Sequence, residues 1–490
     1  MPVSPNYHPD TPYRQLPDRS VLVDKDDESK GAPFFDPVEV ANFPETILRF
    51  RNSRHDASVG LDGLTETEWL SHFGRFKPLP GNLPYPHCMR YHGHQFRHYN
   101  PGLGDGRGFL FAQLRDGRGR LLDLATKGSG ETPYSRAGDG RLTLKGGVRE
   151  ILATEMLEAL GVNTSKTFSI VETGEHLQRS DEPSPTRSAV MTRLSHSHIR
   201  FGTFQMLAAT NEVASMQRLV DYCIEQFYPD VSGATDEERA IGLFDAVIIN
   251  GAKLAASWMA AGFVHGVLNT DNMNITGESF DYGPWRFTEF ADPEFTAAYF
   301  DQQGLYAYGR QADSVGWSLS QLGSALSKIA SVEKLSQSME KFPIHYTKAM
   351  VEAFFARLGI RTDQPDNVEN AEFIMDLLRW MREQEVPIEQ FFFDWFGGIL
   401  STVRAKASPI AEKYQGEEWQ ALEVQLKSHP PERPERLSHD YFAREKPCTM
   451  LIDEVEFIWS RIDEDDDWSA LEAKNADIGV MRDALGLGEK

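Results

Sequence analysis

Cysteine is scarce in this chain. The three present in 490 residues, Cys88, Cys223 and Cys448, are far apart and odd in number. That argues against a disulfide framework and a Cys-based zinc site, and it fits a reducing compartment. Positive charge is also short: 50 Lys and Arg stand against 73 Asp and Glu, a formal net charge of −23. Such a balance disfavours nonspecific nucleic-acid binding and docking on an anionic membrane. It leaves room for a small anionic ligand, which needs only a local basic pocket. No run approaches the ~20 apolar residues that span a bilayer. The stretch from Met1 to Lys30 is rich in Pro, Asp and polar side chains and lacks the apolar core or Arg-rich pattern of a targeting peptide. The expectation is a cytoplasmic protein with neither nucleic acid nor membrane as partner.

What is present is the composition of a globular protein, 40% hydrophobic and 25% charged. The length allows two to four domains at roughly 150 residues each, and no internal repeat is visible. Residues 1–100 are Pro-, His- and aromatic-rich with weak periodicity and read as an N-terminal extension. A short helix is predicted at Glu66–Phe73, with Thr65 and Glu68 forming a capping box. Residues 101–204 are β-rich. Two strands, Phe109–Leu114 and Leu121–Lys127, flank the turn Asp116-Gly117-Arg118-Gly119. A helix follows, with Val148, Ile151, Leu152, Glu155, Ala159 and Leu160 on one face and Gly161 ending it. Short strands are predicted at Phe168–Val171 and Ser188–Arg193. Residues 205–405 read as helical, with helices at Phe244–Ala261, Ser314–Lys328, Ile344–Arg357, Ala371–Gln384 and Ile388–Ala405. Residues 406–490 form an acidic, Pro-interrupted C-terminal region, whose run Asp463-Glu464-Asp465-Asp466-Asp467 reads as a solvated face or loop. A β-rich part followed by a helical part is an α+β layout with the two lobes of a protein kinase.

The stretch that carries chemistry is His265-Gly266-Val267-Leu268-Asn269-Thr270-Asp271-Asn272, followed by Asp281-Tyr282-Gly283. A kinase catalytic loop has the form H-R-D-x-x-x-x-N and is followed by D-F-G. Here the His, the Asn and the D-x-G triplet occur in order, but Val267 stands where the catalytic Asp belongs. Asn272 and Asp281 offer a neutral and an anionic oxygen nine residues apart. Those are ligand types that magnesium takes alongside phosphate oxygens, although each alone is also an ordinary turn residue. Lys127 ends a strand ahead of the Gly-rich stretch Gly128-Ser129-Gly130, as a kinase's phosphate-binding Lys ends up near its loop and pairs with a helical Glu. Glu150 and Glu155 are both available; periodicity favours Glu155, which shares the apolar face. Arg193 and Arg200 are spaced to clamp phosphate oxygens. The pairs His92-x-His94 and His196-x-His198 lack a Cys or third His at zinc spacing.

Together these residues resemble the SelO family of pseudokinases. The resemblance runs over roughly residues 80 to 320. It rests on Tyr91-His92-Gly93-His94-Gln95-Phe96, Gly104-Asp105-Gly106-Arg107, Lys127-Gly128-Ser129-Gly130, Gly138-Asp139-Gly140-Arg141, Arg149-Glu150, His198-Ile199-Arg200-Phe201-Gly202 and the loop 265–283. It implies a kinase-like fold that moves AMP, not phosphate, from ATP to Ser, Thr or Tyr hydroxyls of proteins, with ATP inverted so that its α-phosphate is exposed. It implies Lys127 paired with Glu150, and Gly104, Gly106, Arg107, Asp139 and Gly140 lining the nucleotide. Arg193 and Arg200 are implied to hold the terminal phosphates, Asp271 to accept the proton, and Asn272 and Asp281 to hold Mg2+ or Mn2+. Members often carry a Cys or selenocysteine near the C-terminus; no Cys follows Cys448 here, which argues against redox control through that tail. The competing reading is a catalytically silent ATP-binding scaffold.

Overall fold

A computed structural model describes residues 6–16, 34–180 and 182–487. Nine strands form one antiparallel sheet: β1 His8–Pro9, β2 Phe35–Pro37, β3 Ile47–Arg51, β4 His87–Met89, β5 Leu110–Arg115, β6 Leu121–Lys127, β7 Leu142–Thr143, β8 Lys166–Leu177 and β9 Thr186–Ser195. Their order is β2-β4-β5-β6-β9-β8-β3, with β1 on β5 and β7 on β9. The centre follows from the sequence. The hairpin β5–β6 turns on Asp116, whose Oδ1 accepts from the N–H groups of Arg118 and Arg120 at 2.9 Å each. Strand β6 is buried along its whole length, its polar Asp123 and Thr126 included, and it delivers Lys127 at its end. The first hundred residues supply β2, β3 and β4, so both edges of the sheet come from chain that precedes its centre. The Glu66–Phe73 helix has the predicted capping box. It docks by Trp69, which stacks on Phe168 with ring centroids 5.1 Å apart and donates its indole N–H to Ser169 Oγ at 2.9 Å.

Strands β8 and β9 are longer than the runs Phe168–Val171 and Ser188–Arg193. The extra length is polar, so hydrophobic alternation does not reveal it. It is tied by charge: Glu172 accepts from both Arg187 and Arg49, at 2.7 and 2.6 Å. The helix after β7, Leu144–Ala159, starts on Thr143, whose Oγ1 accepts from Gly146 N–H. It ends at Gly161 with φ +83°, a left-handed position that glycine fills without strain.

Beyond residue 200 the chain is mostly helical, apart from a short antiparallel strand pair, Phe263–Val264 with Arg286–Phe287. Its central helix, Asp236–Ala260, begins earlier than the apolar periodicity because Thr235 and Glu238 form a capping box ahead of Phe244. By length and composition this is the one helix among the described residues that could cross a membrane, although its sequence holds no unbroken apolar run of ~20 residues. More than half of its apolar stretch is buried inside the protein, against the helices Gln311–Leu326 and Phe342–Arg357. The predicted helix Ile388–Ala405 is broken into Ile388–Trp395, a 3-10 turn at Gly398–Ser401 and Thr402–Ala407. Gly397 and Gly398, with φ of +90° and +58°, interrupt it. The acidic run 463–467 is not a loop throughout: the helix Ile452–Asp465 carries its first three residues, exposed, and a second helix, Ser469–Leu485, follows. The sheet with one helix, set against a helical part that carries the loop 265–283, is an α+β, kinase-like two-lobed fold.

Candidate active site

The end of β6 and the middle of the Leu144–Ala159 helix meet at Lys127 and Glu150. Lys127 Nζ donates to Glu150 Oε1 at 2.6 Å, and both side chains are buried. Glu155, which periodicity favours, faces elsewhere: it accepts from Asn52, Arg54 and Arg482. The apolar face is a correct guide to burial and a wrong guide to the lysine. Lys127 also lies 2.8 Å from Asp281 Oδ1, which accepts from Arg193 Nη2 at 3.1 Å. Burial acts to raise the Asp281 carboxyl; Lys127, Arg193 and Arg200 outweigh it and hold the group well below the usual carboxylate range. Asp281 has φ +63°, a strained backbone for a residue with a side chain.

The cleft beside these groups has a volume of about 630 Å³. Gly104, Gly106, Arg107, Lys127, Asp139, Gly140, Arg193, Arg200, Asp271 and Asp281 all line it. Gly104 has a specific reason to be glycine, since a Cβ there would lie 2.3 Å from the ring of Tyr134. Tyr134 is pinned by its hydroxyl, which donates to Asp36 at 2.5 Å. The Gly-rich stretches are tied to each other, Gly128 N–H donating to the Arg107 carbonyl at 2.6 Å. Asp139 is exposed and pairs with Arg179 at 2.7 Å.

Arg193 and Arg200 are buried to 4% and 6% exposure, rare for a guanidinium without full pairing. Arg193 leaves Nε and Nη1 without a partner, and Arg200 leaves Nε. Buried donors of this kind carry a desolvation cost unless an anion meets them. Arg200 is held in place from three sides. Its Nη2 donates to Asp105 Oδ1 at 3.2 Å, its Nη1 to the Asp271 carbonyl at 3.0 Å, and it lies 4.5 Å over the Tyr91 ring. Asp105 is in turn 2.9 Å from His198 Nε2 and accepts from Met89 N–H at 3.1 Å. Asp105, His198, Tyr134 and Arg179 are site residues that sequence reasoning misses. Asp105 and His198 sit inside motifs that carry the family resemblance, whereas Arg179 gives no signal.

The loop 265–283 is braced by the strand pair Gly93–Gln95 and His98–Asn100. His94 N–H donates to Thr270 Oγ1 at 2.7 Å, and Phe96 N–H to Asn269 Oδ1 at 3.0 Å. The His92-x-His94 motif supports the loop: besides its backbone bond to Thr270, His94 has Nδ1 at 2.8 Å from Gln205 Nε2. His265 is buried, with Nε2 at 2.9 Å from the Phe280 carbonyl, which links the loop to Asp281. Asp271 is buried, and its Oδ1 has no partner. Burial pushes its carboxyl up to about 6, against the pull of Arg200. Asn272 stands apart from the cleft lining; its Nδ2 donates to the Val267 carbonyl at 3.1 Å. Among the described residues no cluster of three or more His, Cys, Asp and Glu could hold a metal ion alone.

A family model described as "Protein adenylyltransferase SelO" matches residues 21–478. The chain belongs to the SelO family. Relatives named protein nucleotidyltransferase YdiU agree with this placement. The one from Synechocystis is 43% identical over 90% of this chain and 94% of its own. Those from Synechococcus elongatus and Gloeobacter violaceus are 42% and 44% identical, over 91% and 90% of this chain and 92% and 91% of theirs. A SelO member is a nucleotidyltransferase, so the enzyme class that the resemblance implies holds. A protein-kinase-fold structure, ROP2 from Toxoplasma gondii, aligns over 77% of this chain and 91% of its own at TM-score 0.26 and 10% identity. That likeness is too slight to carry weight; the fold rests on the layout described above.

Proposed function

We propose that this SelO protein transfers AMP from ATP to Ser, Thr or Tyr hydroxyls of proteins and releases pyrophosphate. The observation that carries the reading is the pairing, in one cleft, of buried Arg193 and Arg200, with their unmet donors, and buried Asp271, with an unmet carboxylate oxygen. The arginines and Lys127 suit the β- and γ-phosphates, the part that leaves. Asp271 suits the incoming hydroxyl. The hydroxyl oxygen forms a bond to the α-phosphorus, the bond from that phosphorus to the bridging oxygen breaks, and the hydroxyl proton passes to Asp271. Charge building on the departing pyrophosphate falls beside Lys127, Arg193 and Arg200, where preorganised cations act most strongly. A carboxyl raised to about 6 by burial is near the pKa that general-base work at neutral pH favours. Glu150 keeps Lys127 extended toward the phosphates.

Mg2+ or Mn2+ suits the cleft carboxylate Asp281, with phosphate oxygens completing the shell; Asn272 lies outside the cleft lining and would have to turn its amide oxygen inward to join. When bound, the ion neutralises phosphate charge. Asp281, which here pairs with Lys127 and Arg193, would release them toward the nucleotide.

The test uses ATP labelled at the α- or γ-phosphate, with Mg2+ and a protein acceptor. Label retained on protein from the α-position alone is expected. Retention from the γ-position alone refutes the proposal, and no label with ATP binding intact favours the silent scaffold. Asp271→Asn should lower transfer by roughly 10²–10⁴-fold while ATP still binds, the range of a lost general base. Asp281→Ala should abolish it; an unimpaired Asp281→Ala enzyme would contradict the metal assignment.

A further inference from the structure

The C-terminal helices are not an appendage. Glu456 on the Ile452–Asp465 helix receives Lys145 at 2.7 Å, at the start of the helix that bears Glu150. The Ile462 carbonyl accepts from Arg187 of β9 at 2.9 Å. Asp466, in the left-handed turn between the two C-terminal helices, pairs with Arg187 at 2.7 Å and Arg49 at 3.1 Å. Arg49 also lies 5.1 Å over the Trp468 ring. The Ser469–Leu485 helix packs along the Leu144–Ala159 helix. There Arg482 Nη2 donates to Glu155 Oε2 at 2.5 Å and to the Glu155 carbonyl at 3.2 Å. Glu155 also takes Arg54 at 2.9 Å and Asn52 at 3.0 Å from the N-terminal hundred residues. Thus the helix carrying Glu150 reaches the cleft-lining Lys127 on one side and is gripped on the other by both ends of the chain.

We propose that Arg482, acting through Glu155, is a positioning residue for the reaction: the C-terminal helix pair is a brace that sets the Leu144–Ala159 helix so that Glu150 reaches Lys127. The inference rests on the reading of Lys127 and Glu150 as the phosphate-binding pair. The geometry favours a positional effect over simple stabilisation. Arg482 and Glu155 are 14% and 10% exposed at their side chains, and their contact lies five residues along the same helix from Glu150. A rigid helix carries a shift at Glu155 directly to Glu150. Lys127 lies 2.6 Å from Glu150 and 2.8 Å from Asp281, so if Glu150 withdraws, the amine turns to Asp281 and away from a phosphate. Where a kinase lysine depends on its helical Glu, the placement of that helix governs activity, and a displacement of about 1 Å can cost on the order of 10²-fold.

The test is a double-mutant cycle on the full-length protein, read by the affinity for a fluorescent ATP analogue with Mg2+. This readout needs no turnover. Arg482→Ala should weaken binding roughly tenfold in the parent and have no further effect in Glu150→Gln, where the pair it serves is already altered; Arg482→Lys should restore most of the loss. Thermal unfolding of each variant supplies the control, since a merely structural loss lowers stability equally in both backgrounds. Equal weakening of binding in both backgrounds, or none in either, overturns the brace. If Glu150→Gln alone binds like the parent, the Lys127–Glu150 reading fails first and the brace falls with it, an outcome distinct from the other two.

Discussion

Glu278 is a buried acid that the chemistry does not use. Its Oε2 accepts from His196 N–H at 2.9 Å. Burial pushes it up to about 7, against Lys166, the His196 N–H and Arg120, with Asp123 reinforcing the rise. The sign of its effect on stability follows from that direction. Between about pH 4.5 and 7 the folded protein keeps a proton that the unfolded chain has released, so stability falls as pH rises through this window and levels off above it. Glu278→Gln retains an oxygen for the His196 N–H and has no proton to lose. Measured by denaturant unfolding, the variant should gain on the parent by up to about 3 kcal/mol between about pH 4.5 and 8, at ~1.4 kcal/mol for each pH unit separating the folded and unfolded pKa. A difference that stays flat over this range would remove Glu278 from the account. The same residue scale shows where sequence reading stops. Glu150 and Glu155 lie five positions apart, which at 3.6 residues per turn sets them about 140° from one another. Both are buried. Periodicity registers burial, but which buried face meets a strand lysine depends on what the two chain ends pack against, and that lies hundreds of residues away. Family resemblance supplies Glu150, and the 2.6 Å contact to Lys127 agrees with that choice.

At the scale of elements, local signals are legible and long-range ones are not. The Thr65–Glu68 cap, the β5–β6 turn and the stop at Gly161 are written in neighbouring residues, and the structure has them. The full length of β8 and β9 is not legible, because their polar arms are held by ion pairs across strands, Glu172 of β8 with Arg187 of β9 and Arg49 of β3. Nor does apolar periodicity register the break at Gly397-Gly398. The Gly104–Arg107 turn matches no standard phosphate-loop pattern, yet its packing gives it a definite requirement. Any side chain at Gly104 must displace the Tyr134 ring, which Asp36 anchors. Gly104→Ala should push that ring into the cleft and weaken binding of a fluorescent ATP analogue by about tenfold, within the roughly 1–3 kcal/mol range of overpacked sites. Unchanged affinity would show that Tyr134 yields freely and that the turn does not shape the cleft.

For the whole molecule, the decisive feature is a cationic cleft inside a chain of net charge −23. Lys127, Arg193 and Arg200 are all buried there, and three of the arginine nitrogens have no partner. Three of the acids around them are already engaged, Glu150 with Lys127, Asp281 with Lys127 and Arg193, and Asp105 with His198 and Arg200, while Asp271, whose Oδ1 is unmet, bonds none of the three arginine nitrogens. The unmet donors therefore sit ready for an anion from outside, and an anion that joins residues of the sheet to Asp271's loop ties the two lobes together. A ligand that binds only the folded state stabilises it by RT ln(1 + [L]/Kd), about 2.7 kcal/mol at a hundredfold excess over Kd. Pyrophosphate with Mg2+ carries the charges of the proposed leaving group and nothing of the nucleoside. It should raise the unfolding midpoint of the full-length protein by several degrees, and adenosine alone should not. Arg193→Ala and Arg200→Ala should each remove most of that rise while folding on their own. A rise that survives both substitutions would place the anion elsewhere and remove the two arginines from the proposed hold on the terminal phosphates.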